Sequence, residues 1–310
     1  MKHILARSSS GRSILKLLWA GGLILSGMPA LAQQGGGGIH PAPPPSTPAP
    51  PSSKPSTTPS PQPPAFPSAI NPWDKNELIQ RSNNKPVSPR IAKTDTCFLP
   101  PLNGLLPASV GVADLQIPGK AHRDHSDGCV ALGNNNTAEA ESHFRKAVKQ
   151  WPKYWAAWVV LGQLLAAQQK TKEADDACSQ PLATQASYLP AYLCLADISA
   201  RSENWDNVLS LSNRALAIDP SVAVAYDYHA AANFHLHNLP AAEKSALRAA
   251  ELDKNNTDPR VHFLLAQIYE AKGDRAGEAA QLREYLKYSS NPDDVAMVKQ
   301  YLSDLDEQTK

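Results

Sequence analysis

From about residue 121 onward, apolar and small residues recur at helical spacing in blocks, and the blocks themselves repeat. A small residue returns every 34 positions, at Gly128, Gly162, Ala196 and Ala230. Trp158, Tyr192 and Tyr226 precede the last three of these by four positions, one helical turn. Twelve residues after each small position comes a second one, at Ala140, Ala174, Val208 and Ala242. Two close-approach sites per period, one in each half of the unit, predict pairs of antiparallel helices that stack on their neighbours.

The units read as about 121–154, 155–188, 189–222 and 223–258, with a fifth starting near Pro259 and carrying Leu265, Ala266, Tyr269 and Gly273. Two extra residues in the Lys254–Pro259 turn lengthen the fourth. Residues 293–307 add one amphipathic helix, with Val295, Val298, Leu302 and Leu305 on a single stripe and a wettable opposite face, as the end of a stacked array requires. Pro181 removes an amide donor and crowds the preceding turn, so the second helix of unit two should end near Cys178–Ser179.

Trp158-x2-Leu161-Gly162-x2-Leu165, then Ala174, and Phe144…Ala147…Pro152 closing the preceding unit, resemble the tetratricopeptide repeat family. The resemblance covers about 121–290. It implies an all-α, right-handed superhelical solenoid of about five helix-turn-helix repeats (121–292), closed by a C-terminal capping helix (293–310). It also implies a concave groove lined by the first helix of each unit. Carried onto this chain, the groove positions are His122, His125 and Cys129; Val159 and Gln163; Leu193, Asp197 and Arg201; Asp227, Ala231 and Phe234; and Arg260, Phe263, Gln267 and Glu270. That polar lining with a few apolar anchors suits an extended peptide or a helix. The Lys/Asn clamp that some members use for acidic chaperone tails is absent, since His125 and Cys129 hold its places.

Upstream the pattern changes. Residues 1–32 read as a secretory signal: Lys2, Arg7, Arg12 and Lys16 lead into the apolar run Leu17–Leu25, and Ala30-Leu31-Ala32 forms a small-x-small cleavage pattern, placing the cut after Ala32. An uncleaved anchor is the rival reading, although the run is short for a span of ~20 residues. Residues 33–72 are a Gly/Pro-rich linker holding 14 of the 28 prolines, too poor in apolar area to fold and therefore expected to be disordered. This stretch is a passive spacer or a tether that reaches the cell wall. Residues 73–120 are irregular, yet Cys97-Phe98-Leu99-Pro100-Pro101 is too apolar for free linker. This segment is expected to cover the exposed face of the first repeat.

The net charge of +1 belongs to the leader: without its four cations the balance moves to −3. A mildly acidic chain lacks the basic stripe that phosphate neutralisation needs, so nucleic acid is not an expected partner. Nor is a membrane, once the signal is removed. The order of leader, Pro-rich stretch and repeats is similar to exported repeat proteins of Gram-negative bacteria, which places the chain in the periplasm or outside the cell.

In an oxidising compartment four cysteines allow three pairings. Cys178 near the end of one helix and Cys194 on the facing side of the next suit one bridge, which leaves Cys97 with Cys129; free buried thiols are the alternative. His122, His125 and Cys129 follow i, i+3, i+7 spacing and share a face, the donor types zinc accepts. One helix rarely supplies a closed site, so a polar groove entrance beside a bridged cysteine is the preferred reading, and neither metal nor cofactor is expected. Trp151, Trp155 and Trp158 read as packing aromatics before a sugar platform. No nucleophile elbow, phosphate loop or dinucleotide fingerprint occurs. The expected function is a non-enzymatic scaffold in the cell envelope that holds a protein or peptide in its groove, with peptidoglycan or glycan binding as the alternative.

Overall fold

The computed structural model describes residues 97–102, 105, 116–254, 258–289 and 291–308. The signal, the Gly/Pro-rich linker and most of 73–120, including the short helix that Trp73–Arg81 would allow, lie outside them. Eleven α-helices and no strand occur among the described residues. They pair as hairpins: α1 (Gly119–Gly133) with α2 (Thr137–Gln150), α3 (Trp155–Ala167) with α4 (Thr171–Ser179), α5 (Leu189–Arg201) with α6 (Trp205–Ile218), α7 (Ala223–His235) with α8 (Leu239–Leu252), and α9 (Arg260–Lys272) with α10 (Arg275–Tyr288). The last helix, α11 (Pro292–Gln308), packs on α10. The array is an all-helical solenoid of five hairpins.

Every hairpin turns by the same device. In each, one residue takes the left-handed conformation: Asn135, Gln169, Glu203, His237 and Gly273. The following amide then reaches back to the carbonyl five residues earlier, as Asn136 to Ala131, Lys170 to Leu165, Asn204 to Ser199, Asn238 to Asn233 and Asp274 to Tyr269, all at 2.8–2.9 Å. This is a Schellman closure, which satisfies the last carbonyls of the first helix. The residue that closes the first helix also starts the second. Asn136, Asn204 and Asp274 accept from the amides of Glu139, Asn207 and Gly277, capping α2, α6 and α10. Sharing one residue between two caps makes the turn short, and a short turn forces the helices antiparallel.

The small positions sit where the helices cross. Ala140, Ala174, Ala196, Val208, Ala230 and Ala242 are fully buried. A methyl group added at Gly128 would stand 2.8 Å from the Phe144 ring, and one at Gly162 would stand 2.2 Å from the Cys178 sulfur. Past Ser179 the chain tightens into a 3-10 turn over Gln180–Ala183, with Pro181 buried, so α4 stops where its missing donor requires. Cys178 and Cys194 bond across this joint, linking α4 to α5.

Apolar side chains from outside the five hairpins join the core among the described residues. Phe98 and Leu102 belong to the same core as α1–α4. At the other end Val298, Tyr301, Leu302 and Leu305 of α11 bury against Phe263, Leu282 and Tyr285.

Candidate functional site

The first helices of hairpins two to five touch their successors in a row, α3 on α5, α5 on α7 and α7 on α9. Side chains projecting from that row form three neighbourhoods.

The first centres on α1 and α3. Cys129 is bonded to Cys97, and the bridge draws the upstream segment across the helices. There the backbone of Leu99 is held from both sides by one side chain: its amide donates to Gln163 Oε1 at 3.0 Å, and its carbonyl accepts from Gln163 Nε2 at 2.9 Å. His125 lies behind the bridge, buried, stacked on Tyr154 and edge-on to Phe144. Burial, helped by the nearby His122, lowers its pKa to about 4, so the ring is neutral at ordinary pH. Donor atoms of Cys97, His125 and Cys129 lie within 4.8 Å of one another. With the two sulfurs bonded together the set is a disulfide beside a neutral ring, which does not supply the thiolates that zinc takes.

The second neighbourhood spans α5, α7 and the start of α9, and is charged and buried. Asp197 accepts from Arg201 Nε at 2.7 Å and from the Tyr228 hydroxyl at 3.0 Å. Burial, and after it the Asp197 charge, push the Tyr228 hydroxyl's pKa well up. Arg260 is gripped by Asp258, whose two oxygens accept from Nε at 2.8 and 2.9 Å and which also pairs with Nη2. Asp227 therefore has only a long approach to Arg260, 3.8 Å, and neither of its oxygens has a hydrogen-bond partner. Burial raises its pKa to about 7, against the pull of Arg260. Arg201 Nη1 is likewise buried without a partner. A buried acceptor and a buried donor thus stand unmatched on the neighbouring helices α7 and α5.

The third lies toward the C-terminal end. Phe263 is wholly buried and packs on Tyr285, so it belongs to the core that seats α11. Gln267 and Glu270 are half-buried, as are His122 and Phe234.

Of the residues expected in the groove, His125, Gln163, Asp197, Asp227, Arg260 and Phe263 are therefore buried, with Asp227 alone among the polar ones lacking a hydrogen-bond partner. Sequence reasoning missed Tyr228 and Asp258, the hydrogen-bond partners of Asp197 and Arg260. Tyr228 sits one position off the expected groove face, and Asp258 lies in a turn. Two of the three tryptophans are committed elsewhere: Trp155 Nε1 donates to Thr184 Oγ1 at 3.1 Å with its ring against Tyr188, and Trp158 Nε1 donates to the Pro152 carbonyl at 2.9 Å, while Trp151 Nε1 is buried without a partner. No helix among the described residues is long and apolar enough to cross a membrane.

Comparison with known proteins agrees with this architecture. Residues 127–186 match the tetratricopeptide repeat family model. No curated protein matches the sequence. Among solved structures, the fold is similar to PilW, described as a widely conserved type IV pilus biogenesis factor, at 15% identity over 62% of this chain and 91% of PilW, with a TM-score of 0.53. It is also similar to pilF of Pseudomonas aeruginosa, at 14% identity over 61% of this chain and 86% of that one, again with a TM-score of 0.53. At such identities the likeness concerns the fold alone. The family model thus matches residues 127–186, and the five hairpins repeat the same helix-turn-helix architecture in register through the array.

Proposed function

We propose that this protein is a non-enzymatic scaffold that holds a protein or peptide partner along its inner row of helices. Tetratricopeptide repeat proteins bind protein partners as a class, which supports the general reading. The observation that carries it for this chain is the unmatched pair on α5 and α7. A buried carboxylate without a hydrogen bond costs about 1–3 kcal/mol or more, as does an unmatched buried donor. Such groups persist where a partner completes them. The Asp227 oxygens accept and Arg201 Nη1 donates, which is what the N–H and C=O of a peptide backbone require. Along the row, the half-buried His122, Phe234, Gln267 and Glu270 are the further side chains offered for contact with a partner.

The location in the cell envelope is part of the same proposal and rests on the leader sequence. Glycan binding is not favoured, because the indole N–H groups of Trp155 and Trp158 are already used.

The test is cross-linking and capture in the native envelope, repeated with variants that keep the fold. Reversing Asp197 or Arg260 would strand a buried charge and unfold the region, so the informative variants are Asp227→Asn, Phe234→Ala and Glu270→Lys. Each is expected to weaken capture of one and the same partner at least tenfold while the helical signal stays unchanged. Capture that survives all three sinks the reading.

A further inference from the structure

A short segment upstream of the repeats is fastened to α1 and α3. Residues 97–99 run without regular structure over α1 and α3, and the chain then turns at Pro100–Pro101, where the Leu102 amide bonds the Leu99 carbonyl at 2.9 Å. Three independent contacts seat it. Cys97 is covalently joined to Cys129. The Leu99 backbone exchanges two hydrogen bonds with Gln163. Phe98 and Leu102 are buried, at 7% and 0% exposure.

This is the division of labour of a peptide-binding site: main-chain hydrogen bonds hold the ligand, and flanking apolar pockets choose it. Gln163 reads a backbone, not a side chain, so it accepts any residue that has an N–H. Phe98 and Leu102 set the pattern around it. Gln163 itself is buried, at 5% exposure, so withdrawing the segment would strand an amide donor and acceptor unless another backbone replaced it.

We propose that Cys97–Leu102 is a groove ligand carried in cis. The site it fills, around Gln163, takes a peptide with an aromatic residue, a non-proline residue and then a Pro-Pro turn ending in leucine, and the Cys97–Cys129 bridge decides whether the cis segment or a peptide in trans holds the site. The inference rests on the protein-binding reading of the inner row and adds the occupant's chemistry at one end of it.

Opening the bridge takes a dithiol. Its thiolate attacks the sulfur of Cys97, which is half-buried while Cys129 is 2% exposed. A mixed disulfide forms and Cys129 leaves as a thiolate, which takes up a proton. The second thiol of the reductant then displaces Cys97. Both cysteines end as thiols and the reductant as a disulfide, with two electrons and two protons transferred. The segment is then held only by Gln163 and its two apolar anchors, and a competitor can displace it.

The probe is a labelled synthetic peptide of residues 96–106 carrying Cys97→Ser, added to the full chain. Oxidised wild type is expected not to bind it. A chain with Cys97→Ser, Cys129→Ser and Phe98→Asp, which frees the cis segment and leaves the Cys178–Cys194 bridge untouched, is expected to bind at least tenfold more tightly than wild type. Adding Gln163→Ala to that chain should return binding at least tenfold toward the wild-type level. A freed chain with intact helical signal that ignores the peptide overturns the proposal, as does binding that Gln163→Ala leaves unchanged. Should the freed chain lose its helical signal, hydrogen exchange at the Leu99 amide decides. It is expected to be protected in the oxidised protein and at least tenfold faster in Gln163→Ala, and equal rates overturn the proposal. Failure here with partner capture intact counts against the cis-ligand inference alone. Loss of the capture result counts against the scaffold reading.

Discussion

The Tyr301 hydroxyl of α11 donates a 2.5 Å hydrogen bond to Glu278, a wholly buried carboxylate on α10 whose other oxygen accepts from Arg275 at 2.8 Å. The final helix is thus seated by apolar packing and also by a charge-assisted bond inside the last hairpin. Burial and the Glu278 carboxylate together drive the Tyr301 pKa well up. Tyr301→Phe keeps the ring and removes the donor. A hydrogen bond to a charged group is worth ~1.5–3 kcal/mol, so the variant is expected to lose about that much stability in urea unfolding. Glu278→Ala removes the acceptor and leaves two donors, and should cost more. In a double-mutant cycle the pair should couple by at least ~1 kcal/mol, and additive losses would show that the bond contributes little.

The left-handed residue in each hairpin turn is a second lever. Gln169 is exposed and holds φ 63°, while the equivalent place in the last hairpin is Gly273 at φ 74°. A side chain in this conformation costs ~1–2 kcal/mol, partly offset because glycine loses more freedom on folding, ~0.5–1 kcal/mol. Gln169→Gly is therefore expected to stabilise by about 0.5–1 kcal/mol and Gly273→Ala to destabilise by a similar amount. Thermal unfolding of the two variants should move in opposite directions.

That turn also marks what the sequence made legible. Small residues 34 apart revealed the hairpins, because a side chain at a helix crossing is excluded by contact and exclusion leaves a mark in composition. The break after Ser179 was legible for the same reason, since proline forbids a hydrogen bond. The recurring left-handed residue was not, because Asn135, Gln169, Glu203 and His237 share a backbone angle and no chemistry. The candidate site divides along similar lines. Its positions on the first helices followed from register. The bonds of Asp197 and Arg260 did not, because their partners Tyr228 and Asp258 lie off the expected face or in the loop before α9. Gln163 was expected in the groove, but its ligand could not be read, since Leu99 contributes only backbone atoms.

Gly162 and Gly128 occupy equivalent places in successive hairpins but face different neighbours. Helix propensity alone would favour alanine at either by ~1 kcal/mol. At Gly128 the added carbon meets the Phe144 ring at 2.8 Å, and a ring has some room to tilt. At Gly162 it meets the Cys178 sulfur at 2.2 Å and the Ala174 carbonyl at 3.1 Å, a bridged atom and backbone. Gly162→Ala is expected to destabilise by ~1–3 kcal/mol, as overpacking does, and by more than Gly128→Ala. It should also lower the fraction of molecules with the Cys178–Cys194 bridge, read by non-reducing peptide mapping. Equal losses at the two sites would mean that the α3–α4 joint gives as easily as a ring.

His125 and Asp227 titrate in opposite directions over the same range. The folded pKa of His125 is lowered from 6.5 to about 4, so unfolding takes up a proton between those values. Its stabilising effect is complete above pH 6.5 and is lost as pH falls through 4, a change of ~3 kcal/mol. The folded pKa of Asp227 is raised from 3.8 to about 7, so unfolding releases a proton in that window. Its stabilising effect is complete below pH 3.8 and is lost as pH rises through 7. Wild type should therefore show a shallow stability profile between pH 4 and 7, the sum of two opposed slopes. Asp227→Asn removes the second slope, so the variant is expected to be more stable than wild type at pH 8 and to lose that advantage by pH 4. His125→Leu removes the first, and its stability relative to wild type should rise as the solution is acidified below 6.5. Urea midpoints for the three proteins from pH 4 to 8 give the answer. An Asp227→Asn chain less stable than wild type at pH 8 would mean that Arg260 fully compensates the carboxylate. In that case Asp227 would not be a group waiting for a partner.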